Sequence, residues 1–190
     1  MEDALNMPPF PPLEWDDWAW VGSIRLGAWA GFRSRRGPYA SADSAAPSDG
    51  SADLCVMTLD EARVLPSPEQ AAACRHLREH QEATRDAILA AVFAAYPALQ
   101  ERYGYEGEDA ALMPDLAGPD QLRALIGLSG VHCFPVARDG VAYVGFEFGC
   151  AWDGEHGLGA MTHAGRVVEV GGADTAILEW IAAQDAEKGA

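Results

Sequence analysis

Between Ser67 and Ala95 the chain places apolar or small residues at Cys74, Leu77, Thr84, Ile88, Val92 and Ala95, at spacings of three, four or seven. Such a stripe belongs to a helix lying on a core. Its start is marked by Ser67-Pro68-Glu69-Gln70, in which serine at the N-cap, proline at the first helical position and glutamine two positions later form a capping box. Arg75, Arg78, Glu79, Glu82, Arg85 and Asp86 fall on the opposite, solvated face, and Pro97 disfavours helical backbone at Tyr96. The spacing therefore predicts one long helix ending near Pro97. A shorter one follows from Pro119 to Ile126 with Leu122, Leu125 and Ile126 inward, and a last one from Asp174 to about Ala183 with Ile177, Trp180 and Ile181 on one side.

From Val131 the apolar period changes to two, the spacing of strands. Val131 to Ala137, Val141 to Trp152, Leu158 to His163 and Arg166 to Val170 read as four strands joined by tight turns, with Asp139-Gly140 a two-residue hairpin signal. Trp15 to Leu26 and Leu54 to Leu59 add two more strand candidates. Consecutive hairpins and a separate helical block give an α+β fold: an antiparallel meander sheet packed against one long helix and two or three shorter ones. A two-residue turn at Asp139-Gly140 sets Val131 opposite Phe148, Cys133 opposite Phe146 and, on the other face, His132 opposite Glu147. If Asp153 to Gly157 form the next loop, Glu147 also faces His163; a slip of one residue would send His163 to the other face.

Residues 1–14 contain Pro8-Pro9-Phe10-Pro11-Pro12 and read as an extended arm. Residues 15–185 are expected to form one domain, with a mobile loop near 41–53, where Ser, Ala, Gly, Pro and Asp dominate, and a frayed tail at 186–190. Thirteen Lys and Arg against 29 Asp and Glu give a formal net charge of −16, which repels phosphate backbones and argues against nucleic acid as a partner. The one basic cluster, Arg33, Arg35 and Arg36, reads as a solvated hairpin tip. No run reaches the length of a membrane helix and the N-terminus is acidic, so the expected location is the cytoplasm. Cys55, Cys74, Cys133 and Cys150 lack a C-x-x-C pair and are expected as small buried hydrophobes.

Two groups of side chains could carry chemistry. His132, Glu147 and His163 on one sheet face have the composition of a metal or acid/base hydrolytic site; the bland alternative is a cross-strand His/Glu pair. Asp153, Glu155 and His156 crowd the turn after Trp152, where Asp153 could equally cap backbone amides while Gly157 takes a positive φ. The pair His76 and His80, four apart on a helix, lacks an accompanying carboxylate motif and reads as part of the charged face. No serine or cysteine stands in a nucleophile elbow and no phosphate loop is visible. No cofactor is expected.

The run Gly145-Phe146-Glu147-Phe148-Gly149-Cys150-Ala151-Trp152-Asp153-Gly154-Glu155-His156-Gly157-Leu158-Gly159, continuing through His163 and Arg166 to Gly171, resembles a family of uncharacterised bacterial domains. Its mark is a strand ending in W-D-x-E-H-G-x-G, preceded by a helix opening like Ser67-Pro68-Glu69-Gln70 and a strand like Trp20 to Trp29. Members of that family resemble immunity proteins encoded beside polymorphic toxins, and no catalytic residues accompany the resemblance. It implies a non-catalytic binding protein whose partner is a cognate toxin. The expected contact residues are Trp15, Asp16, Asp17, Trp18, Trp152, Asp153, Glu155 and His156, with Glu106, Glu108 and Asp109 as further exposed acids.

Overall fold

The computed structural model describes residues 4–34, 44–59 and 62–188. In chain order these form β1 (Glu14–Asp16), β2 (Ala19–Arg25), β3 (Arg33–Ser34), β4 (Ser44–Pro47), β5 (Ser51–Met57), α1 (Pro68–Glu79), α2 (Gln81–Tyr103), β6 (Ile126–Arg138), β7 (Val141–Cys150), β8 (Leu158–His163), β9 (Arg166–Gly171) and α3 (Glu179–Glu187). Among these, seven strands make one sheet in the order β1-β2-β5-β6-β7-β8-β9, and β3 pairs with β4. The fold is α+β, as the sequence predicts. Every neighbouring pair in the large sheet is antiparallel except β5 and β6, which run parallel. A parallel pair requires a crossover, and the stretch containing α1 and α2 supplies it.

One sheet face carries the main core. Trp20, Leu54, Val56, Val131, Cys133, Phe146 and Phe148 are buried there with Cys74 and Leu77 of α1 and Ile88 and Val92 of α2. Trp29 lies 5.0 Å from both Phe32 and Phe148, so its ring is a core residue. The opposite face has a smaller core in which Phe134, Tyr143 and Met161 meet Ile181 and Ala182 of α3. The approach is close: a Cβ on Gly145 would lie 1.9 Å from the carbonyl oxygen of Ala176, so only glycine fits under the short 3-10 turn Ala173–Ala176. Asp185 fastens α3, accepting from the Tyr143 hydroxyl at 2.8 Å and from the Arg166 guanidinium.

The capping box forms as the sequence predicts. Gln70 N donates to Ser67 Oγ at 3.2 Å and Ser67 N to Gln70 Oε1 at 2.9 Å. Gln70 does more, however. Its Nε2 donates to the carbonyls of Met57 at 2.7 Å and Cys133 at 3.2 Å, bridging the fork where β5 and β6 separate after the pairs Val56 and Cys133.

Several boundaries differ from the sequence reading. The long helix is two: it breaks at His80, whose backbone leaves the helical region, and α2 then runs past Pro97 to Gly104, which caps it with φ +60. An internal proline costs about 3 kcal/mol, which is offset by Tyr96, buried just before it, and by Leu99 and Tyr103, packed on the core beyond the expected stop. Residues 119–124 are a 3-10 helix, with Leu122 inward. The last helix is split into the 3-10 turn and α3, and Ile177 and Trp180, expected inward, are 46% and 51% exposed while Ile181 is buried. Of the expected loop at 41–53, residues 44–47 form β4 and 51–53 open β5; Arg35, Arg36 and 41–43 lie outside the described residues. The proline arm is tied down over its described part: Leu5 and Leu13 exchange two backbone hydrogen bonds, Phe10 and Leu13 are buried, and Arg78 donates to the Pro9 carbonyl at 2.9 Å. All four cysteines are buried and none is in a disulfide among the described residues.

Replacing Gln70 with alanine orphans two carbonyls at the fork and half the capping box. The expected loss is about 2–3 kcal/mol in urea unfolding; a loss below about 0.5 kcal/mol would contradict the bridging role.

Candidate functional site

On the outer sheet face, the expected register holds only next to the hairpin turn, where Ala137 lies opposite Ala142. A bulge between Cys133 and Ala137 then moves β6 along β7, so that His132 lies opposite Gly145 and Glu147 opposite Gly130. A shift by two preserves the face of each side chain. The pair therefore still meets, diagonally, with His132 Nε2 and Glu147 Oε2 at 3.0 Å. Gly130 makes the room, since a Cβ there would come 3.1 Å from His132 Nε2 and 3.3 Å from Glu147 Oε2. The carboxylate only accepts, so the imidazole proton sits on Nε2 and leaves Nδ1, buried and without a partner among the described residues.

His163 does not join them. It lies opposite Tyr143, while Glu147 lies opposite Gly159, which separates the two by about 13 Å along the strand at four residues' rise. Its ring lies tilted against Tyr143 at 4.5 Å and its Nε2 donates to the Arg138 carbonyl at 3.0 Å. The grouping of His132, Glu147 and His163 is thus corrected to a pair and a separate core histidine. Among the described residues no three His, Cys, Asp or Glu side chains are placed to hold a metal. His76 of α1 stacks at 4.3 Å on His80, the residue at the helix break; burial and then the His80 neighbour lower the His76 pKa.

The Trp152 to Gly157 turn is organised from within. Trp152 is 2% exposed, set edge-on to Tyr96 at 5.6 Å, and so drops out of the expected contact residues. Asp153 accepts from the Tyr103 hydroxyl at 2.7 Å, from His156 N at 2.9 Å and from His156 Nδ1 at 3.1 Å. Gly157 takes φ +72 and comes so near Phe148 that a Cβ would be 2.5 Å from its carbonyl oxygen. The Tyr105 hydroxyl closes the turn on the Trp152 carbonyl at 2.7 Å. Burial alone raises the Asp153 carboxyl, but the hydrogen bonds from Tyr103 and His156 together hold it below the ordinary carboxylate value. Sequence reasoning did not reach Tyr103 and Tyr105, because their partners lie some fifty residues away. Glu155 and His156 remain exposed.

At the start of the sheet, Trp15 is half-buried edge-on to Trp20 at 5.4 Å. Asp16, Asp17 and Trp18 are exposed on the turn joining β1 to β2, with Trp18 43% exposed and Asp17 at φ +50. Glu106, Glu108 and Asp109 are likewise exposed. No described helix is long and apolar enough to cross a membrane.

Fold and side-chain arrangement define an α+β domain in which the turn carboxylate and the core histidine are spent on the protein's own groups. Residues 43–178 match the model of the family described as a domain of unknown function (DUF6985), and the chain belongs to that family. No curated protein and no solved structure matches the chain.

Asp153 titrates lower in the folded chain than in the unfolded one, so its charge stabilises the fold above the ordinary value of 3.8 and that contribution is lost as pH falls through the lower folded value. Asp153→Asn is accordingly expected to lower the melting temperature at pH 7, with the gap to wild type shrinking below about pH 4. A gap independent of pH would show that the carboxylate charge is irrelevant.

Proposed function

We propose that this chain is a non-catalytic acidic binding protein that acts by covering a functional surface of a protein partner, as an immunity protein covers a bacterial toxin. The observation that carries the reading is the net charge of −16 combined with an exposed acidic and aromatic turn, Asp16-Asp17-Trp18. An excess of one charge sign speeds encounter with an oppositely charged partner and favours it over others, and an exposed tryptophan beside it offers the kind of anchor that dominates interface energies. The partner on this reading is basic.

Other features point the same way. Asp153, the best-placed acid of the densest turn, has three internal donors, and His163 is bound to backbone carbonyl oxygen. Neither is left poised towards a substrate. Glu155 and His156 remain on the surface, and Trp152 supports their turn from the core.

The reading is tested by producing the chain together with the product of the adjacent open reading frame. Rescue of growth and co-elution of the two proteins are expected, with an association rate that falls as salt rises. The double variant Asp16→Asn/Asp17→Asn should slow association several-fold and leave dissociation nearly unchanged. Undiminished killing in the presence of the chain would refute the reading.

A further inference from the structure

The C-terminal ends of the parallel strands β5 and β6 leave the sheet at the same side, and the fold brings the β6–β7 hairpin tip, the β1–β2 turn and the start of α1 to that side as well. Beyond Val56 and Cys133 the two strands part, with Gln70 as the floor of the fork. The opening is a groove of about 440 Å³ whose lining includes Thr58, Leu59, Val64, Leu65, Pro135 and Ala137. Leu59, Val64 and Leu65 are 63%, 51% and 65% exposed. Three large aliphatic side chains left in water at one groove mark an interaction surface rather than scattered surface apolarity.

Arg63 and Val64 are tied to β2. Trp20 Nε1 donates to the Val64 carbonyl at 2.7 Å, and the Arg63 guanidinium lies over the Trp20 ring at 5.6 Å. Val64 and Leu65 are thus presented beside β2, whose first residue Ala19 pairs with Met57 at the same end of the sheet. The surroundings are acidic. Glu69 and Asp139 line the groove, and Asp16 and Asp17 stand on the neighbouring turn. The one arginine in the lining, Arg138, is 3.4 Å from Asp139 and 4.0 Å from Asp185, so its charge is matched within the protein. In the wall, Thr58 Oγ1 is buried with no hydrogen-bond partner among the described residues.

We propose that this groove is where the protein partner docks, through a segment that places an aliphatic or aromatic side chain on Leu59, Val64 and Leu65 and flanks it with lysine or arginine facing Glu69 and the Asp16-Asp17 turn. The proposal rests on the binding function put forward above and names its surface and the chemistry of its occupant. Charge complementarity selects that occupant: an acidic segment would meet the carboxylates, and a purely apolar one would leave them unused. The start of α1 is already capped: Ser67 N donates to Gln70 Oε1, Gln70 N to Ser67 Oγ and Ala71 N to the Ser67 carbonyl.

The test uses the full chain against a phage-displayed library of random peptides. Selection is expected to enrich sequences with an apolar residue between basic ones. A selected peptide, made synthetically, should bind wild type and lose about tenfold or more of its affinity for Leu59→Ser/Leu65→Ser, whose replaced side chains are too exposed to matter for folding. Asp53→Asn, on the bare part of the outer face, should bind as wild type does. No enrichment, an acidic consensus, or peptides indifferent to the double substitution would overturn the groove assignment. The same double variant, tested with the adjacent-frame product, separates the two proposals. A partner that binds both forms equally overturns the groove and leaves the binding function standing, whereas a partner that binds neither overturns the function itself.

Discussion

The rest of the architecture depends on the parallel junction between β5 and β6. It is the one parallel pairing among the described strands, and it joins the N-terminal strands to the C-terminal meander across the whole α1–α2 crossover. Parallel pairing demands burial and a covering helix, which α1 supplies; one side chain, Gln70, then closes the gap where the strands part. The same divergence that requires Gln70 as a bridge opens the groove beyond it. Structure and candidate interface are therefore consequences of one constraint.

The meander was legible because its signals are local. Asp139-Gly140 fixed the hairpin, the tight turns on either side bound β8, and the capping box placed the start of α1 to the residue. What escaped was set by distant partners. Nothing near Pro97 reveals that Tyr96 reaches the Pro114 carbonyl at 3.1 Å and is worth burying, with its hydroxyl pKa pushed up to about 12 by burial. Nothing near Trp180 reveals that Ile181 and Ala182 take the core side of α3, because a helix of nine residues gives the periodicity little to work on.

The candidate site illustrates the same division at the scale of chemistry. Face assignment survived, because the bulge in β6 displaces the register by an even number of residues, and His132 still reaches Glu147. Position along the face did not survive. The second hairpin turns earlier than assumed, His163 lands beside Tyr143 instead of Glu147, and a three-residue cluster becomes a pair. The Asp153 turn was readable as a cap from its own sequence, whereas its tyrosine donors come from the end of α2 and the residues beyond it and had no local signature. Leu59 reads as the end of a strand and Val64 and Leu65 carry no signal of their own; only the fold leaves the three uncovered at the end of the sheet.

The central claim is that the acidic, apolar end of the sheet is the working surface and that it works by contact. Hydrogen exchange of the chain, measured by mass spectrometry alone and in complex with the adjacent-frame product, addresses this directly. The account predicts new protection in 16–20, in the described part of 58–65 and in 137–140, with the Asp153 to Gly157 turn unchanged. Protection confined to that turn, or to the His132 and Glu147 face, would contradict it.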